Sequence, residues 1–302
     1  AVYASIEEYK STLGINTEAG DIVDENLHIT LQPQTSVVVM DQRTGQVKAI
    51  VGGRGAKTTS RSLNRATDSP RQPGSCFKIV STYAPALNEC GMTLASTITD
   101  EPYSYANGKE VKNWDGKYIG DTTVRYAILH SMNVCAVRTL TEVVTPAKGY
   151  QYLQKFGFTT LVNDDPNYPG MSDIAQATAL GGITRGVYNL EMTAAYASIA
   201  NGGVYTEPVL YTQILDHDGN VMIDKTTPET HEVIKESTAY LLTSAMQDVI
   251  TSPNGTGGAA RMSNMPVAGK TGTTNDSTDL WLSAYTPYYT ASVWVGYDEN
   301  KS

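Results

Sequence analysis

The sequence is poor in cysteine, phenylalanine and tryptophan, with three of each among 302 residues. Cys76, Cys90 and Cys135 are odd in number and fall at no metal-ligand spacing, so at least one thiol is free and no disulfide framework organises the fold. No apolar run approaches the roughly 18 residues of a membrane-spanning helix. The first residues, Ala1 to Glu8, lack the basic start and apolar middle of a signal peptide, and the chain as given reads as soluble. Basic residues are also in deficit. With 22 Lys+Arg against 31 Asp+Glu the net charge is −9 and no basic run breaks that balance, which argues against a nucleic-acid partner. The four histidines, His28, His130, His217 and His231, have no metal spacing, and no Gly-X-Ser-X-Gly elbow is present for a Ser-His-Asp hydrolase. The spacing gives no metal site.

What is present is ordinary globular composition, 40% hydrophobic and 18% charged, in a chain long enough for one large domain or two small ones. Val2, Ile6, Tyr9 and Leu13 recur at helical steps, followed by a weakly patterned polar stretch, and residues 1–33 read as a linker. Two β-rich runs, 36–40 and 46–51, flank a Gly-containing loop and predict a hairpin. From about 75 to 250 the texture is helical. Phe77, Val80, Ala84 and Leu87 share one face, and Tyr188, Met192, Ala195, Tyr196 and Ile199 share another that ends at Asn201-Gly202-Gly203. Strand texture returns at 266–273, 281–285 and 290–296. Strands at both ends with helices between them predict an α+β domain with one antiparallel sheet and a helical insertion.

Three short motifs carry chemistry. Ser75 and Lys78, in Gly74-Ser75-Cys76-Phe77-Lys78, lie three apart and would share one helix face. A neutral lysine amine can take the proton of a serine nucleophile, and the first turn of a helix offers free backbone N–H groups to a developing oxyanion. With an ordinary value near 10.4, the lysine pKa must be pulled down by roughly 3, at a cost of about 4 kcal/mol. Alone, the tetrapeptide reads more readily as a capping serine with a surface lysine. Ser131 and Asn133 separate two helix-like runs and would face one pocket only from a turn, where the serine could relay a proton and the amide could hold a substrate carbonyl; otherwise they are a polar helix connection. Lys270-Thr271-Gly272-Thr273 lies on a strand whose glycine permits close approach of another backbone. Lys270 and the threonine hydroxyls suit a carboxylate, although strict alternation puts Thr271 and Thr273 on one face and Lys270 on the other. Gly269-Lys270-Thr271 also mimics the end of a phosphate loop, which fails because Asn264 stands where that motif needs glycine. Trp114 and Tyr285 are candidates either for lining a groove or for packing.

Taken in this order, the three motifs resemble the active-site set of penicillin-binding proteins and serine β-lactamases, with Met132 in place of aspartate in the middle one. Asn64 to Thr67, Arg71 to Gly74, Ala179 to Gly182, Tyr196 to Gly203, Asp279 to Trp281 and Tyr297-Asp298 resemble the transpeptidase domain of class A penicillin-binding proteins, over about 34–298. The resemblance implies a five-stranded antiparallel sheet flanked by helices with a mostly helical subdomain, and a transpeptidase domain over 34–302. It implies that Ser75 attacks the penultimate D-alanyl carbonyl of a peptidoglycan stem peptide, or the lactam of a β-lactam antibiotic, with Lys78 as base. Ser131 would pass the proton on, Lys270 would add field and relay, and Asn133, Thr271, Gly272, Thr273 and Trp114 would bind substrate. The backbone N–H groups of Ser75 and Thr273 would form the oxyanion hole, and no metal or organic cofactor would be required. No Glu-X-X-Leu-Asn segment follows the second motif, against a hydrolytic β-lactamase. A D,D-carboxypeptidase and a β-lactam sensor domain remain the alternatives. Class A members carry a membrane anchor and a glycosyltransferase domain and work on the outer face of the bacterial membrane; both parts are expected in the full-length protein and neither is found here, so the chain reads as an excised piece. The family's closing C-terminal helix is not found either, and the N-terminal piece is a candidate cover for that sheet face. Cys76 stands where threonine is common and is expected to be buried.

Overall fold

The computed structural model describes residues 32–57 and 59–299. Contacts divide the chain into residues 1–32 and 33–302; the expected N-terminal helix, linker and sheet cover lie outside the described residues. In chain order come β1 (Gln34–Met40) and β2 (Val47–Val51), then the segment from Gly74 that ends in α1 (Ala84–Asn88). Next are β3 (Thr97–Asp100), β4 (Tyr103–Ser104), β5 (Glu110–Val111), β6 (Gly120–Thr123), α2 (Val124–Leu129), α3 (Asn133–Arg138) and α4 (Pro146–Lys155). Helix α5 (Asn189–Ala200) leads to β7 (Val204–Thr206), β8 (Gln213–Leu215), β9 (Val221–Asp224) and β10 (Thr230–Glu232). The chain continues through α6 (Glu236–Thr251), β11 (Ala268–Thr273), β12 (Asp279–Tyr285) and β13 (Thr290–Gly296).

The main sheet has five strands in the order β11-β12-β13-β1-β2, all antiparallel, so the first and last parts of the chain close one sheet. The β1–β2 pair is the hairpin expected from the sequence. Strict alternation in β12 and β13 turns Trp281, Ser283, Tyr285, Ser292 and Trp294 inward. Trp294 is fully buried, its indole donating to Asp279 Oδ1 at 2.8 Å. A ring of that size removes roughly 150–250 Å² from water, a gross gain of about 4 to 6 kcal/mol.

Helix α5 lies against β1, β12 and β13 and against α6. Its sequence suggests one apolar face, yet residues all round it are buried, among them Asn189, Thr193 and Ser198. The small polar side chains are satisfied locally, Thr193 donating to the Asn189 carbonyl at 2.8 Å and Ser198 to the Ala195 carbonyl at 2.7 Å. A helix packed on several sides needs no polar stripe. The helical stretch from 75 to 250 is also interrupted by four two-stranded sheets, β3–β6, β4–β5, β7–β10 and β8–β9. These strands have two to four residues, too few for an alternating pattern to stand out in sequence.

Candidate active site

Gly74 opens the Ser75 segment as a 3₁₀ turn, Gly74–Cys76, which widens into a π turn at Lys78–Tyr83 before α1. Two glycines set its position against β11. Gly74 has φ +53°, and a side-chain carbon there would meet the Thr273 carbonyl oxygen at 2.8 Å. At Gly272 a side-chain carbon would lie 2.5 Å from the Pro73 carbonyl oxygen and 3.0 Å from Cys76 Sγ. The first and third motifs therefore touch backbone to backbone. Three further bonds hold them. Cys76 Sγ donates to the Lys270 carbonyl at 3.3 Å, Tyr196 Oη to the Cys76 carbonyl at 2.8 Å, and Trp281 Nε1 to the Gln72 carbonyl at 2.8 Å. Cys76 is fully buried and points away from solvent, and burial pushes its thiol up to about 11.

The second motif is a turn between α2 and α3. Ser131 has φ +52°, a left-handed conformation that costs a non-glycine residue roughly 1 to 2 kcal/mol. That turn points both the Ser131 carbonyl and its hydroxyl at the first motif. Lys78 Nζ, fully buried, donates to the Ser131 carbonyl at 2.5 Å and to Asn133 Oδ1 at 2.6 Å, and lies 3.2 Å from Ser131 Oγ. Lys270 Nζ, also fully buried, donates to Ser131 Oγ at 2.8 Å and to the Thr271 carbonyl at 3.0 Å.

Among the described residues no carboxylate bonds either amine. Burial, and then the positive charge of Lys270, hold Lys78 well below the ordinary lysine range. Burial pulls Lys270 down to about 8. A neutral lysine amine has two hydrogens and one lone pair. With the hydrogens on the Ser131 carbonyl and Asn133 Oδ1, the lone pair of Lys78 is left to accept a proton.

Ser75 and Asn133 line a groove of about 1280 Å³ together with Thr273, Thr274, Gln72 and Tyr105. Among the described residues Lys78 holds no hydrogen bond to the Ser75 hydroxyl; the amine is engaged with Ser131 and Asn133, and a proton transfer from Ser75 would require the two groups to approach. Thr271 lies opposite Lys270, as alternation predicts; its hydroxyl pairs with Thr256 Oγ1 at 2.6 Å, and the groove is lined by Thr273 instead. Because β11 is the edge of the main sheet, the strand beside the groove has one side without a strand partner.

Trp114 is not in this groove. It is 73% exposed and borders a separate cavity of about 50 Å³ with His130 and Met132, its indole donating to the His130 carbonyl at 3.2 Å. Its neighbour Asn113 turns inward, which sends the next side chain out. Tyr285 is buried and bonds Thr243 at 2.7 Å, so it packs. Sequence reading gave no role to Tyr196, which bonds the Cys76 carbonyl, or to Gln72, whose side-chain amide donates to the Ile183 carbonyl; both bonds cross more than a hundred residues and leave no local pattern. It also missed Asn113, which sat in view beside Trp114.

Among the described residues no cluster of His, Cys, Asp or Glu could hold a metal ion, and no helix is long and apolar enough to cross a membrane. Residues 35–302 match the family described as the penicillin binding protein transpeptidase domain. The chain is 40% identical over 280 residues to penicillin-binding protein 1A of Clostridium acetobutylicum, covering 89% of this chain and 33% of that protein. It is 31% identical over 313 residues to penicillin-binding protein 1A/1B of Bacillus subtilis, covering 95% and 32%. Penicillin-binding protein 1A from Haemophilus influenzae superposes with a TM-score of 0.74 at 26% identity, over 90% of this chain and 44% of that one. The PonA1 protein of Mycobacterium tuberculosis in complex with penicillin V has the same fold, with a TM-score of 0.77 at 23% identity over 90% and 71% of the two chains. The chain spans about a third of the length of the curated relatives it matches.

Proposed function

The chain belongs to the penicillin-binding protein transpeptidase family, and from that premise we propose that it is a serine D,D-transpeptidase that cross-links peptidoglycan stem peptides and is acylated by β-lactams. In this reading residues 34–302 form the catalytic domain and residues 1–33 a linker within a longer, membrane-anchored protein acting outside the cytoplasmic membrane. The observation that carries the proposal is the convergence of two buried lysines on one serine hydroxyl beside the groove that holds Ser75.

Neutral Lys78 takes the Ser75 Oγ proton as that oxygen attacks the penultimate D-alanyl carbonyl. The backbone N–H groups of Ser75 and Thr273 stabilise the oxyanion. Ser131 passes a proton to the leaving nitrogen and is resupplied from Lys78, while Lys270 holds the Ser131 hydroxyl in place. The leaving D-alanine carries its carboxylate past Thr273, which lines the groove. An amine of a neighbouring strand then attacks the acyl-enzyme, loses a proton to the same relay, and frees Ser75.

The test incubates the protein with a peptide ending in D-Ala-D-Ala and a free amine acceptor, and weighs the products. A peptide joined to the acceptor with loss of D-alanine supports the proposal. Hydrolysed peptide alone would make the protein a D,D-carboxypeptidase, and neither product despite acylation would make it a sensor.

A further inference from the structure

Both side-chain polar atoms of Asn133 and its backbone N–H already have partners before a substrate arrives. Its side-chain oxygen holds Lys78, its side-chain nitrogen donates to the Lys112 carbonyl at 2.7 Å, and its backbone N–H donates to Asn113 Oδ1 at 2.9 Å. Asn113 Oδ1 also accepts from the Val134 N–H at 3.2 Å. These are the first free amides of α3, which a residue just before the helix usually caps. Here that residue is Met132, with no side chain able to do so, and the cap comes from another part of the chain.

Asn113 is itself oriented. It is buried at 6% exposure, and its Nδ2 donates to Asp100 Oδ1 at 2.8 Å and to the Lys117 carbonyl at 2.9 Å. The other Asp100 oxygen accepts from the Ile119 N–H at 3.0 Å. Because Nδ2 must face these acceptors, Oδ1 must face α3. By the same logic the Lys112 carbonyl forces Asn133 Oδ1 towards Lys78.

We propose that Asn113, oriented by Asp100, is a positioning residue for the acyl-transfer reaction, holding the Ser131–Asn133 turn so that the two acceptors of Lys78 keep its lone pair aimed at the serine hydroxyls. The inference rests on the acyl-transfer reading above. The groups that face Lys78 are Lys270 from β11, Cys135 from α3 and Cys76 from its own segment, with Asp100 of β3 set behind Asn113. A space opened at Asn113 admits water beneath Asn133 and rehydrates the amine, which raises its pKa.

The experiment follows acylation by a chromogenic cephalosporin from about pH 6 to about pH 10, with melting temperature, for the wild type, Ser75→Ala, Asn113→Ala and Asn113→Asp. Asn113→Ala is expected to acylate at least about tenfold more slowly near neutrality, with its rising limb moved to higher pH. Asn113→Asp keeps both acceptor contacts and can share a proton with Asp100. It is expected to acylate close to the wild-type rate on the acid side and to fall behind on the alkaline side, where the shared proton leaves. An Asn113→Ala limb at the wild-type pH, with only a lower melting temperature, would make Asn113 merely structural and overturn the proposal. If Asn113→Ala does not fold, Asn113→Asp decides alone, and a profile superimposable on the wild type overturns it. Failure of the wild type itself to be acylated at Ser75 would remove the acyl-transfer reading instead, which separates the two outcomes.

Discussion

Lys270 and Ser131, separated by 139 residues of chain, meet through a buried 2.8 Å hydrogen bond from amine to hydroxyl. That bond joins the edge strand of the sheet to the turn between α2 and α3, and Lys78 reaches the same hydroxyl from a third element. Burial favours loss of a proton from both amines, and at Lys78 the positive charge of Lys270 adds to it, with measurable consequences.

The rate of β-lactam acylation should rise with pH along a limb set by deprotonation of Lys78. Lys78→Ala should lower the rate by about 10² to 10⁴, the usual contribution of general-base catalysis, with the fold retained. Lys270→Ala removes a charge that holds Lys78 down, so its limb should move to higher pH. Stopped-flow acylation across pH checks both, and a Lys78→Ala rate equal to wild type would leave Lys78 without its role.

Stability should also respond to pH with a definite sign. A lysine whose folded pKa is depressed binds fewer protons in the folded state than in the unfolded one, so stability rises with pH across the interval between the two values. For Lys270 that interval runs from about 8 in the folded protein to about 10.4 unfolded, and Lys78 acts in the same direction. The melting temperature of Lys270→Met, relative to wild type, should therefore be most favourable below the interval and lose that advantage through it. Thermal melts at several pH values measure the difference.

Gly272 marks the contact between the first and third motifs. Gly272→Val would drive a side chain into the Pro73 carbonyl and Cys76 Sγ, destabilising the protein by about 1 to 3 kcal/mol and pushing Ser75 away from β11, with loss of acylation. Gly258→Ala, where nothing lies within 4 Å, should stay within about 0.5 kcal/mol of wild type. Denaturant melts and acylation assays on the pair check the contrast.

The sheet and the meeting of four side chains' motifs were legible in sequence for a physical reason. Strands such as Thr290 to Gly296 are rich in β-branched and aromatic residues bounded by turn signals, and Ser75, Lys78, Ser131 and Lys270 belong to short motifs whose order is specific even where each motif alone is not. The alternation that set Thr271 opposite Lys270 also held. What was hidden depends on long-range contact. The acceptors that fix Lys78 arise from the left-handed turn at Ser131, which no residue type there announces, since glycine is absent. Asn113 and Asp100 act through bonds between short, irregular strands, and Trp114 drew attention by its ring while the smaller neighbour did the structural work. The burial of Cys76 was readable as an expectation, and its bond to the Lys270 carbonyl gives the reason.

The central claim is that the Ser75 hydroxyl becomes covalently acylated through this lysine-flanked site. Intact-mass spectrometry after exposure to penicillin addresses it directly: the wild type should gain the mass of one drug molecule and Ser75→Ala none, with the adduct mapping to the peptide that contains residue 75. Equal labelling of both proteins, or an adduct mapped elsewhere, would contradict the account.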